Sequence, residues 1–176
     1  MGAHLTLQEA TAGWMLRELL LHPAPGLNAF IRRGAARESA RLTEAEIVAR
    51  LRGMAGHRRH NVGLTKWEPL IDILVHGLDI AIPLGLQIDV PADAAAAVAT
   101  RIHGQRGRGK ARVFRRVPVF GYRLEATDHP WTVGAGSEIR GPMVALLLLL
   151  TGRTAREDEL FGPGMDAYRL SLETRA

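Results

Sequence analysis

The residues best suited to chemistry lie in the middle of the chain. Asp72, His76 and Asp79 stand at i, i+4 and i+7, a spacing that places all three on one side of an α-helix. A carboxylate and an imidazole one turn apart can ligate one metal ion from a single helix, the spacing that paired histidines use in helical zinc motifs. Neutral imidazole and carboxylate oxygen are good Zn2+ ligands, and three protein ligands with one open position make a catalytic site. A D-x-x-x-H pair by itself is commoner as a solvated or salt-bridged helix face, so the chemistry requires a third ligand from another element. His4, His22, His57 and His60 are the candidates. His4 opens an apolar helix that can pack against the Asp72 helix, although the first residues of a chain often fray. His57 and His60 sit beside Arg58 and Arg59 in a basic turn suited to solvent. Asp79, one turn beyond His76, can accept from the second imidazole nitrogen and orient the ring, or pair with an arginine on the helix surface. Glu68 reads as a first-turn carboxylate favoured by the helix dipole.

The chain contains no cysteine. It therefore offers no disulfide, no thiolate metal ligand and no cysteine nucleophile. Any metal must be held by His, Asp or Glu, and any thiol chemistry must use a thiol from outside.

The elements that must position these residues are mostly helices. Residues 4–22 have helical apolar spacing through Leu5, Leu7, Ala12, Met15, Leu16, Leu19 and Leu20, closed by Pro23 and Pro25. Residues 28–41 are helical but largely polar. Thr43 and Glu46 form a capping box for the next helix, whose core stripe is Ile47, Leu51 and Met54. The helix of the Asp72 cluster runs over 66–82 with Leu70, Ile73, Leu74, Gly77, Leu78 and Ala81 on its apolar face. Pro83 and Gly85 end it. Residues 91–103 start a further helix on a proline. Residues 104–112, glycine-rich and basic, are the expected boundary. Beyond them, partial two-residue alternation over 113–127 and short runs at 131–133 and 137–140 predict strands. An apolar helix at 142–151 and a final turn and element follow. Helices first and a small sheet afterwards predict an α+β, mainly α chain, with a helical domain over 1–103 and a small α+β domain over 113–176.

Composition sets the remaining bounds. The 176 residues are 47% apolar and 23% charged, enough for a packed core of one domain with a small companion. The net charge of +5 comes almost entirely from arginine and says little about partners. The N-terminal stretch lacks a basic region and a cleavage site. The longest apolar run, 143–150, is far short of the roughly 20 residues that span a bilayer. A cytoplasmic protein without a membrane partner is the expectation.

Several segments resemble one family. Residues 72–85, DILVHGLDIAIPLG, resemble the signature helix of the mycothiol-dependent maleylpyruvate isomerase family, itself similar to DinB-like helical bundles. Residues 138–153, EIRGPMVALLLLLTGR, resemble the strand, turn and helix of that family's small C-terminal domain, and 126–136, ATDHPWTVGAG, precede them in the expected order. Residues 3–8, AHLTLQ, resemble a segment of its second bundle helix, so the likeness covers nearly the whole chain and implies a bundle that begins without its first helix. Such a bundle exposes an apolar stripe that a second subunit can cover.

The resemblance implies a divalent metal, typically zinc, on His4, Asp72 and His76. It implies mycothiol as the thiol cosubstrate and a small electrophilic substrate that is isomerised or loses a leaving group. The acidic ligand here is Asp72 where the characterised pattern has Glu, a shorter reach. The family also implies an arginine of the C-terminal domain for the acidic substrate, and Arg153 is the position chosen, with Arg140 and Arg123 open. Arg153 equally suits a helix-ending cation.

Two rival readings use other features. A member that keeps the fold without catalysis would act as a binding or stress-related module. A regulatory protein would bind nucleic acid through residues 101–116, which hold seven Arg or Lys. That stretch has only Phe114 for base stacking and reads more simply as a solvated linker.

Overall fold

The structure is a computed structural model that describes residues 2–57, 65–105, 114 and 117–173. The chain forms two compact units, residues 1–80 and 81–176. Among the described residues, eight α-helices and one three-stranded sheet make an α+β, mainly α architecture.

The first unit is helical. Helix α1 (Gly2–Leu5) passes directly into a 3-10 turn over Thr6–Glu9. Helices α2 (Ala12–Leu21), α3 (Leu27–Arg41), α4 (Glu44–Met54) and α5 (Trp67–Ala81) follow. The single helix expected over 4–22 is thus broken. Ala10 turns to ψ 130°, and the Thr11 hydroxyl accepts from the Trp14 amide to cap a new helix. A threonine hydroxyl competes for backbone donors in this way, favouring a cap over a helix interior. The expected capping box on α4 is present: Thr43 Oγ1 accepts from the Glu46 amide at 3.3 Å, and Glu46 Oε2 accepts from the Thr43 amide at 2.8 Å. The Thr43 amide and the Thr43 hydroxyl, both donating to Oε2, hold the Glu46 carboxyl below the usual carboxylate range.

Helix α1 packs on α3 and α4 through Ala3 and Leu5. Trp14 meets Phe30 edge-on at 6.5 Å, joining α2 to α3. Buried carboxylates on this side are paired: Glu18 with Arg37, at 2.9 Å from Nε, and Glu38 with Arg50 at 3.1 Å. Leu16, Leu19 and Leu20, on the opposite side of α2, are exposed, as is Leu21 at the end of the helix.

The second unit builds its core around one apolar helix. Helix α6 (Ala92–Gln105) packs against α7 (Met143–Leu150), and α7 lies against strands β1 (Arg123–Ala126) and β3 (Glu138–Gly141). Strand β2 (Thr132–Gly134) pairs antiparallel with β1, and β3 pairs parallel with its other edge, giving the order β2-β1-β3. Leu124 and Ile139 face each other in register and are fully buried, while Arg123 and Glu125 alternate outward. The alternation around Val117 and Val119 does not become a strand; β1 starts only at Arg123. Two local contacts fix this core. Trp131 Nε1 donates to Thr100 Oγ1 at 2.8 Å, and Asp128 Oδ1 accepts the Met143 amide at 2.8 Å at the start of α7. Gly134 has φ +80°, and a Cβ there would lie 2.2 Å from the Tyr122 carbonyl oxygen, so no other residue fits. Helix α8 (Pro163–Glu173) covers β3.

The units divide after Ile80, not in the glycine-rich stretch of 104–112. The apolar face of α6, with Ala95, Val98, Ala99 and Ile102 buried, seats it on α7 in the C-terminal unit. Of the stretch itself, only Gly104 and Gln105 are described; the rest lies outside the described residues.

Candidate metal centre

Helix α5 explains how the central cluster is presented. Its buried residues are Val75 (2% exposed), Leu78 and Ala81, whereas Ile73, expected on the apolar face, is 54% exposed. Val75 and Ile73 differ by two positions, about 200° around a helix, so one faces in when the other faces out. The inward stripe therefore adjoins the side that carries Asp72, His76 and Asp79. That polar side is half-buried.

Helix α1 supplies the third residue. His4, Asp72 and His76 each place one ligand atom within 4.8 Å of the others. His4 Nε2 lies 3.6 Å from Asp72 Oδ2, and the two imidazole rings meet edge-on with centroids 5.2 Å apart. Two donor atoms on a four-coordinate zinc with bonds near 2.1 Å are separated by about 3.4 Å. The His4–Asp72 separation is close to that size, and a set of two imidazoles and one carboxylate suits a divalent cation. His4 and Asp72 keep a quarter or more of their side chains exposed, which leaves the cluster open to small molecules. The other candidates are not brought to it: His22 ends α2, and His57 is exposed beyond α4. His60 lies outside the described residues.

Asp79 stands behind His76, with Oδ2 2.9 Å from Nδ1. An ionised carboxylate only accepts, so Nδ1–H donates to it. That hydrogen bond fixes the tautomer and leaves the Nε2 lone pair free. We expect Asp79→Asn to weaken divalent-metal affinity 10–100-fold, a typical cost of losing such a support. Competition against a chromophoric chelator checks this, and an unchanged affinity would make Asp79 an ordinary surface carboxylate.

One residue at the cluster escaped the sequence reading. The Gln8 carboxamide donates from Nε2 to Asp72 Oδ2. The signal was available: His4 and Gln8 are four residues apart, one helical turn, and so share a face.

The other predicted positions lie in the second unit. Arg153 Nη1 donates to the Thr151 carbonyl at 2.8 Å, at the end of α7. Arg140 and Arg123 both pair with Glu125, at 3.1 and 3.0 Å. Most of residues 101–116, the basic stretch, lies outside the described residues. Among the described residues, no helix is long and apolar enough to cross a membrane.

Residues 89–171 match the family model of the MDMPI C-terminal domain. The matched segment starts ahead of α6 and ends in α8, within the second compact unit. No curated protein and no solved structure matches the chain.

Proposed function

Because this chain belongs, through residues 89–171, to the maleylpyruvate isomerase family that carries the MDMPI C-terminal domain, we propose that it is a metal-dependent enzyme that uses an external thiol, with mycothiol as that thiol, to isomerise or displace on a small electrophile. The observation that carries this reading is the meeting of His4, Asp72 and His76 with Asp79 behind His76. His4 and His76 would each offer a ring nitrogen to the cation, and Asp72 would offer a carboxylate oxygen and a compensating negative charge. Zn2+ is the metal we assign to this set. When bound, it supplies the Lewis acidity that lowers the pKa of a thiol ligand and gives a thiolate near neutral pH.

The protein's own residues do the rest. Asp79 holds the His76 ring in one tautomer. The partly exposed rim at His4 and Asp72 admits the thiol, which the cysteine-free chain cannot provide itself. In an isomerisation the thiolate would add to one carbon of a cis double bond while the π electrons move onto the electrophile's conjugated acceptor group. The resulting single bond rotates, and the electrons return to re-form the double bond as the same thiolate leaves, so thiol is neither gained nor lost. Arg153 is our choice for the substrate's acidic group, on the family resemblance.

The test is thiol binding to the cobalt-loaded protein. Mycothiol should produce a sulfur-to-cobalt charge-transfer band in the near ultraviolet, and S-methylated mycothiol should not. A cobalt-loaded protein whose spectrum mycothiol leaves unchanged would sink the thiol reading.

A further inference from the structure

Gln8 is the unexplained group beside the cluster. Its Nε2 donates to Asp72 Oδ2, while its Oε1 is buried with no hydrogen-bond partner among the described residues. A buried acceptor left without a donor is destabilising, so something must hold the carboxamide in this orientation. The carboxamide could not be reversed, because Oε1 would then face the carboxylate oxygen, two acceptors with no proton between them. The contact with Asp72 therefore decides the orientation.

That contact joins the two elements whose side chains must converge. Gln8 lies in the 3-10 turn that continues α1, one turn beyond His4, and Asp72 lies on α5. Asp72 Oδ2 is also the oxygen 3.6 Å from His4 Nε2. One side chain thus pins the short carboxylate toward the histidine of the opposite element.

We propose that Gln8 is a positioning residue for Asp72. It holds Oδ2 by a hydrogen bond, so that the carboxylate meets a divalent cation through one oxygen and the remaining coordination position stays open to an outside ligand. This rests on the metal reading given above. It assigns Gln8 no contact with the metal and none with substrate.

The experiment is Co2+ titration of the parent, Gln8→Met and Gln8→Asn proteins, read by affinity and by visible absorption. Methionine keeps the length of glutamine without a donor, and asparagine keeps the donor on an arm one methylene shorter. Four-coordinate cobalt absorbs more strongly than five- or six-coordinate cobalt. Both variants should bind Co2+ 10–100-fold more weakly, with visible bands reduced in intensity as Asp72 turns to bind through both oxygens. Asparagine guards against a methionine variant that fails to fold. A variant that binds Co2+ with the parent's affinity and spectrum overturns the role of Gln8 while leaving the metal site intact. Loss as complete as in a His76→Ala protein overturns it too, because Gln8 would then be a ligand. A parent protein that takes up no cobalt overturns the metal reading itself, and this inference with it.

Discussion

The His76→Ala protein should purify without stoichiometric metal where the parent carries close to one equivalent, and its affinity for Zn2+ should fall by at least about 100-fold, or roughly 2.7 kcal/mol. The alanine removes one of the three converging side chains proposed as ligands. What is left is His4 and Asp72, a pair 3.6 Å apart on two elements. Asp79 keeps its carboxylate, but no longer has an imidazole to support. The effect can be separated from misfolding by thermal unfolding with and without metal. A ligand that binds only the folded state stabilises by RT ln(1 + [L]/Kd). At a Zn2+ concentration 100 times the parent's Kd, the parent gains about 2.7 kcal/mol, and a variant bound 100-fold more weakly gains about 0.4 kcal/mol. Without metal the variant should melt lower only by the loss of the His76 ring's packing on His4 and its bond to Asp79, so the metal-dependent increment, compared between the two proteins, is what reports ligation. Equal metal content in both proteins would show that His76 is no ligand.

The shared helix side of Asp72, His76 and Asp79 and the fold class were legible because each rests on a local rule. Asp72, His76 and Asp79 share a helix side by arithmetic, and the capping box at Thr43 and Glu46 is read from two residue types three apart. The apolar block 143–150 reads most simply as a buried helix, and it is one. What the sequence hid was tertiary. Leucines at 16, 19 and 20 looked like core by periodicity, yet they are exposed, because Trp14 and Glu18 set which side of α2 meets α3. Ile73 and Val75 are equally apolar, and only the packing of α5 decides between them. The unit boundary was placed by glycine and charge content, whereas the decisive fact is the alanine-rich face of α6 fitting against α7. Gln8 was passed over because a glutamine carries no charge. Its importance lies in a bond to a residue sixty-four positions away.

Leu147→Ala should cost the second unit about 2–5 kcal/mol, the usual range for truncating a buried leucine. The reason is the position of α7. Met143 and every residue from Ala145 to Leu150 are buried, so the helix has apolar neighbours on nearly all sides: α6 on one, the β1 and β3 strands on another. Leu147 is 0% exposed. Removing its isobutyl group leaves a void that close-packed neighbours refill only in part. The surrounding leucines are held by a capped helix start at Asp128 and by the Trp131–Thr100 hydrogen bond, which limits their collapse into the space. For a unit of this size each kcal/mol shifts the Tm by about 4–8 °C, so thermal unfolding should move down by at least about 8 °C. Leu170→Ala on α8 is the matched control. That leucine is 63% exposed, and surface truncations of this kind stay within about 0.5 kcal/mol. A Leu147→Ala protein that melts with the parent would mean that α7 is not the centre of the C-terminal core, and that burial at this helix does not carry the stability of the unit.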